Sequence, residues 1–416
     1  MKTTFLLTPF LVALSGHAPL QAEEAKESKI RKSGEIAPSA ALTSSNPGGA
    51  GHRFTVTNGA SQVPVAVVRG NPYQMGWQLG RLMREEIKQL LPAAIAGFKQ
   101  ELKLSDEALD LAWATTAGYT DARMHQQLVG MAEGSGQPVR LLQHMHCLPL
   151  LMPYSCSSIA AWGAATQDGH LYQTRNLDWS LEAGAHEFPV LVVYLPDKGH
   201  AHMTPSFAGF IGAHCGLNDA GVVLSEIGDA SAKEQPYNLH APHFSSWFRT
   251  LLYDAGSLTE TLSLFGQVPP TKRYHFVFGD GRTEKKAVKI RASAGGGQTI
   301  PGINIWSDND SSDELAPRIL SCVVYHDEGR GAFPTLEARR GQLNGESLIA
   351  LANQIPIKGG NVMNAVFDAT ALRVWVSYAG AGQEAYQRPY VYLDLATLDA
   401  DGDGQPDLPR PSAKQK

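Results

Sequence analysis

The chain has 416 residues, 43% of them hydrophobic and 18% charged, with a formal net charge of −5. That supplies a sizeable core for one large domain or two small ones, with fewer charges than the usual quarter. A mildly acidic chain without a basic run argues against a nucleic-acid partner, and four cysteines in this length argue against a disulfide-stapled scaffold.

Lys2, the apolar run FLLTPFLVAL and the small residues of 16–22 form a signal peptide, with cleavage expected after Ala22 or alternatively Ala18. The run is too short to span a bilayer, so an exported protein is expected, periplasmic or secreted. Residues 23–52 are polar and rich in Gly, Ser and Pro, and read as a flexible leader.

From Arg53 to Gly70, FTVT and VPVAVVRG read as two short strands. Asn71 then caps a helix with Pro72 in its first turn, running through NPYQMGWQLGRLMREEIKQLLPAAIAGFKQEL, and helical patterns continue over 105–134. The glycines of GNPYQMGWQLG suit close packing against a neighbouring helix. HMHC (144–147) lacks a second ligand cluster at zinc spacing, so no metal is assigned to it. GHAH (199–202), His240 and His243 read as solvated loop histidines.

Residues 156–179, CSSIAAWGAATQDGHLYQTRNLDW, read as a β-hairpin turning at Asp168-Gly169. Pairing 167 with 170 would set Asp178 opposite Ile159. Strict alternation sends Arg175 and Asp178 to opposite faces, so both serve one site only if the strand bulges or ends there. Cys156 alone reads as a buried structural cysteine. As a nucleophile it needs a base, and no histidine lies near it in this hairpin. A cut before Cys156 would supply one, because a free α-amino group titrates at roughly 7.7–8.0. The other cysteines are Cys147, Cys215 and Cys322; four cysteines allow three pairings, Cys215 with Cys322 among them.

PVLVVYLP (189–196) is a continuous apolar strand of the kind covered on both faces. SFAGFIGAHCGLNDAGVVLSEIG reads as strand, tight turn at Asn218–Gly221 and strand. Residues 243–268 hold two helices broken at Ala255-Gly256-Ser257. YHFVFGD and KKAVKIRAS return to strands, and INIWSDNDSSDELAPRI reads as a loop carrying Asn309 and Arg318. NVMNAVFDATALRVWVSYAG forms a second hairpin around Ala369-Thr370, and PYVYLDL a last strand. Pattern alone gives mixed α and β. The tail DADGDGQPD places Asp399, Asp401, Asp403 and Asp407 so that they could wrap a hard cation, and a structural Ca²⁺ is expected there. A solubilising acidic tail is the alternative.

The series Cys156, apolar strand, Asp168-Gly169 and Arg175-Asn176-Leu177-Asp178-Trp179 resembles the N-terminal nucleophile (Ntn) hydrolases. It is most similar to their isopenicillin N acyltransferase-like branch, with choloylglycine hydrolases and acid ceramidases as cousins; GNPYQMGWQLG also resembles that branch's opening. The resemblance covers residues 60–395. It implies an α+β fold, a four-layer α/β/β/α sandwich, with 53–155 as the small chain released by self-cleavage, 156–395 as the catalytic region and 396–416 as an acidic tail. It further implies that Cys156 is the nucleophile and that Arg175 and Asp178 orient the amine and substrate. Asn218 and Asn309 would help form the oxyanion site, with Arg318 nearby. Ser155 stands where many relatives have Gly. The implied reaction is hydrolysis of a linear amide in a small N-acyl substrate through a thioester, with no catalytic cofactor. The alternatives are an acyltransferase with the same nucleophile, or a non-catalytic exported binding protein stabilised by calcium. The sequence leaves the oligomeric state open.

Overall fold

The computed structural model describes residues 51–151, 155–228, 238–270, 274–293, 302–308, 310–313, 316, 318–327, 331–356 and 359–408. The expected signal peptide, the expected leader as far as residue 50, and Asn309 lie outside them. Two strands open the described chain, β1 (His52–Asn58) and β2 (Ser61–Gly70). Five helices follow: α1 (Pro72–Leu82), α2 (Arg84–Leu102), α3 (Asp106–Ala117), α4 (Ala122–Ser135) and α5 (Val139–Leu151). The Asn71 side chain accepts from the Gln74 amide while the Gln74 side chain accepts from the Asn71 amide, which fixes the start of α1. The single helix expected over 72–102 is interrupted at Met83. HMHC, unassigned in the sequence, lies on α5.

The hairpin strands are β3 (Ser155–Gly163) and β4 (Gly169–Trp179), followed by β5 (Pro189–Pro196), β6 (His202–Phe207), β7 (Cys215–Asn218) and β8 (Val222–Ile227). Helices α6 (Phe244–Asp254) and α7 (Leu258–Phe265) precede β9 (Tyr274–Asp280), β10 (Lys286–Ser293), β11 (Gly302–Trp306) and β12 (Val323–His326). The chain closes with α8 (Phe333–Ala338), α9 (Gly345–Ala352), β13 (Gly360–Asp368), β14 (Arg373–Tyr378) and β15 (Val391–Asp394). Part of the expected 303–319 loop is therefore strand β11.

The strands form two sheets, ordered β1-β2-β5-β6-β7-β8-β9-β10-β11 and β12-β3-β4-β13-β14-β15. Every pairing is antiparallel except β2 with β5. The sheets face one another: Gln173 of β4 donates across the gap to Ser225 Oγ and the Val277 carbonyl, at 2.8 and 3.0 Å. Val190 to Tyr194 of β5 are fully buried, as a strand covered on both faces requires.

Outside the larger sheet, α6 and α7 lay Phe248 and Phe265 against Phe276 and Phe278. Outside the smaller one, α8 and α9 bury Leu336, Leu348 and Leu351 on Ile159, Ala161 and Val366. The protein is thus an α+β sandwich layered α/β/β/α, as expected.

Helices α1 and α4 touch backbone to backbone. A Cβ built on Gly76 would stand 2.1 Å from the Gln127 carbonyl, and one on Gly130 would stand 2.1 Å from that of Tyr73. Among the described residues no helix is long and apolar enough to cross a membrane.

Candidate active site

The β3–β4 hairpin differs from its expected register. Ser155 pairs with Asp178, Cys156 with Leu177 and Ser157 with Asn176. Asp168-Gly169 is not a two-residue turn. A longer loop joins the strands, with Gly163 and Gly169 at φ +52° and +78°. Tertiary hydrogen bonds account for this: Gln167 donates to the Leu343 carbonyl and Gly341 to that of Ala165, at 2.9 and 2.8 Å. Those bonds reward a wider loop over the tight turn that local chemistry favours. The shift carries Asp178 from opposite Ile159 to beside the Ser155–Cys156 bond.

Cross-strand partners share a face and alternate residues change face. Cys156, Arg175 and Leu177 therefore look into the gap between the sheets, while Asn176 and Asp178 look toward α9. The irregularity the sequence required lies opposite: β13 slips register between Asn361 and Met363, and β4 ends at Trp179. Asp178 Oδ1 accepts from Asn361 Nδ2 at 3.1 Å, and Asn361 and Asn364 exchange side-chain hydrogen bonds at 2.8 and 2.9 Å. Arg175 crosses the gap to Glu226 of β8, with Nη2 3.1 Å from Oε2 and neither side chain exposed.

Burial pushes the Cys156 thiol up to about 12; the Arg175 charge and a hydrogen bond with the Gly228 backbone pull it down, while Glu226 and Asp178 push it further up. Cys156, Arg175 and Asp178 are thus brought into electrostatic contact. Two groups that the sequence reading passed over join them, Glu226 and the Asn361–Asn364 pair. Each had a signal: a carboxylate or carboxamide inside an otherwise apolar strand is rarely buried without a task.

Cys156's partner Leu177 also walls a small, partly open apolar pocket with Phe98, Met145, Leu148, Pro149, Trp179, Ala185, Phe207, Phe210 and His214. Phe98 stacks on Trp179 with ring centres 5.0 Å apart. The cavity draws on α2 and α5, before Cys156, and on β4 and β6, after it. His146 holds its rim: its Nδ1 donates to the Leu142 carbonyl at 2.6 Å, and its Nε2 accepts from the Ile211 and Gly212 amides at 2.9 and 3.3 Å. Burial lowers its pKa to about 4, so it stays neutral.

Of the remaining expected site residues, Asn309 lies outside the described residues, and Asn218 and Arg318 are engaged as follows. Asn218 uses both amide hydrogens on the Leu252 and Ala255 carbonyls, at 3.1 and 2.8 Å, and its oxygen on the Val222 amide at 2.9 Å. It stitches the β7–β8 turn to the end of α6 and has no hydrogen left for an oxyanion. Arg318 is exposed and stacks over Phe333 with its guanidinium 5.2 Å from the ring centre. It precedes β12, whose Val323 pairs with Ala161, a point about 17 Å up β3 from Cys156.

In the tail, single carboxylate oxygens of Asp399, Asp401 and Asp403 lie within 4.8 Å of one another. Asp407 does not join them: it accepts from Arg69 at 2.6 Å and from the Ala400 amide at 2.7 Å. All four cysteines are free thiols, so Cys215 and Cys322 are not bridged.

No protein-family model matches the chain. Two curated proteins of Dictyostelium discoideum are similar along most of its length. Protein dcd1B is 25% identical over 410 residues, covering 87% of this chain and 79% of that protein. Protein dcd1A is 29% identical over 384 residues, covering 78% and 83%. Among solved structures, the chain resembles a Caenorhabditis elegans N-acylethanolamine-hydrolyzing acid amidase ortholog at 14% identity and TM-score 0.40, over 57% of this chain and 100% of that one. It also resembles penicillin V acylase from Agrobacterium tumefaciens at 12% identity and TM-score 0.41, over 59% and 88%.

Proposed function

We propose that this protein is an exported, self-processing cysteine amidase of the Ntn type. The reading rests on one observation: the hairpin register sets Cys156 at the inner start of β3, within the fields of Arg175 and Asp178 and next to the apolar cavity that Leu177 walls. In processing, Cys156 Sγ would attack the Ser155 carbonyl carbon. The Ser155–Cys156 C–N bond breaks, an internal thioester forms, and water then hydrolyses it to leave a Ser155 carboxylate and a free Cys156 amine. In turnover, that amine takes the thiol proton and the sulfur attacks the substrate amide carbon. The protonated amine returns the proton to the departing substrate nitrogen, and water resolves the thioester.

Asp178, paired with Ser155 along the backbone, would hold the new amine. Arg175, fixed by Glu226, would stabilise sulfur and oxygen charge. The acyl group would occupy the apolar cavity, which favours an apolar acyl chain over a charged one. An amine in place of water would make the same site an acyltransferase, and nothing in its geometry favours that. For the tail we propose a structural Ca²⁺ held by Asp399, Asp401 and Asp403. Chelation would then lower the melting temperature more than the activity, and an unmoved melting temperature would dismiss the ion.

Intact-mass analysis of the purified protein tests the chemistry. A fragment beginning at Cys156 is expected, and a single uncut chain from Cys156→Ala. An uncut wild-type chain that still turns over N-acyl amides would refute the scheme.

A further inference from the structure

A second polar site lies on the far side of the larger sheet, where α4 and α6 meet. Arg249 of α6 is 3% exposed. Its hydrogen bonds all go to neutral acceptors: His202 Nε2 at 3.1 Å, the Ile211 carbonyl at 2.6 Å, Gln127 Oε1 at 3.3 Å and the Tyr253 hydroxyl at 3.2 Å. Its guanidinium lies 3.6 Å from the Tyr194 ring centre. His202 adds no charge, since burial and then Arg249 itself hold its pKa well below the usual value. No carboxylate among the described residues pairs with Arg249.

Beside it is a small cavity of about 10 Å³, lined among others by Asp121, Arg123, Gln127, Ser246, Arg249 and Thr250. Two of these side chains carry donors without a partner among the described residues: Gln127 Nε2 and Ser246 Oγ, on residues 1% and 2% exposed. The amide orientation is fixed, because Gln127 must turn its oxygen to Arg249 and so its nitrogen away. The opposing group is Asp121. Its Oδ2 accepts from Arg123 at 2.6 Å and from Thr250 at 3.2 Å, and Arg123 reaches Asp254 as well.

We propose that this cavity binds a small monovalent inorganic anion of the halide class. A buried cation without an anionic partner, next to two idle buried donors, is a set that an anion completes and a carboxylate-bearing protein chain leaves open. The site would bear on the apolar cavity, because Arg249 Nη1 also holds the Ile211 carbonyl, between cavity residues Phe210 and His214.

The test uses the purified full-length protein. Its melting temperature is followed as sodium gluconate is replaced by sodium chloride, and separately by sodium bromide, at constant ionic strength. A saturable rise on the order of 3 °C is expected, and Ser246→Ala and Gln127→Leu should each raise the half-saturating chloride concentration about tenfold. Equal melting temperatures in chloride and gluconate would overturn the proposal. So would a rise that both variants reproduce at unchanged concentration, which would place the anion elsewhere.

Discussion

Glu226→Gln separates the electrostatic account of the site from a purely packed one. Arg175 and Glu226 are both fully buried and joined at 3.1 Å. A guanidinium keeps its proton in any protein environment, so the substitution leaves a full positive charge between the sheets. Breaking a buried pair from one side costs about 3–5 kcal/mol, whereas removing both charges can be close to neutral. The comparison belongs in a Cys156→Ala background, so that one uncut chain unfolds. In urea, Glu226→Gln should lose stability in that range, and adding Arg175→Met should restore part of it. A second readout uses the protein with Cys156 intact. Glu226 pushes the thiol up and Arg175 pulls it down, so the pH profile of iodoacetamide alkylation should move down in Glu226→Gln and up in Arg175→Met. An unchanged urea midpoint in Glu226→Gln, or a double variant less stable than both singles, would refute the coupling.

Gly130→Ala puts a methyl 2.1 Å from the Tyr73 carbonyl and should destabilise by about 3 kcal/mol or more through overpacking. At the exposed Gly97 of α2 a Cβ meets nothing within 4 Å, so Gly97→Ala should gain up to about 1 kcal/mol from helix propensity; like signs in thermal unfolding would dismiss the glycine contact. The His200 pKa is raised, chiefly by its hydrogen bond to Asp219. A raised histidine contributes below its unfolded value, about 6.5, and loses that contribution as pH climbs through the folded value. The melting-temperature deficit of His200→Gln should therefore shrink between about pH 6 and about pH 9, and a constant deficit would remove the charge from the explanation. If the chain is cut before Cys156, its halves should co-elute in native size exclusion and separate only under denaturant, because β2 lies between β1 and β5 in the larger sheet; two native peaks would contradict that.

The hairpin motif exposed the centre of the site because its residues are close in sequence, while the register depended on residues far from it. Asp168-Gly169 is a strong turn dipeptide, yet hydrogen bonds to Gly341 and Leu343 decide the loop. The Asn218 turn formed where expected, but its carboxamide is taken by carbonyls at the end of α6, which no local pattern announces. Glu226 and Asn361 enter the site from separate strands, and only the order of the sheets brings them to Arg175 and Asp178. Short β12, α8 and α9 escaped because four to eight residues seldom show a period.

The buried thiol imposes a sequence of events on any nucleophilic role. Burial pushes its pKa up to about 12 in the uncut chain, so at neutral pH the thiol form predominates heavily over the thiolate. An intact Cys156 is therefore a poor general nucleophile, suited at most to one slow reaction with the carbonyl directly before it. Cleavage would change both causes of the high value. It would place an ammonium at the residue's own nitrogen, and it would free the Ser155 end from the backbone of β3 while the two halves stay together. The ammonium lowers the thiol pKa, and the new Ser155 carboxylate opposes that until it moves off the sulfur. Residues that raise the pKa before the cut need not oppose catalysis after it: Asp178, which now disfavours the thiolate, would then neutralise the new ammonium. If the chain is cut there, one set of charges would keep the thiol quiet before the cut and organise it afterwards.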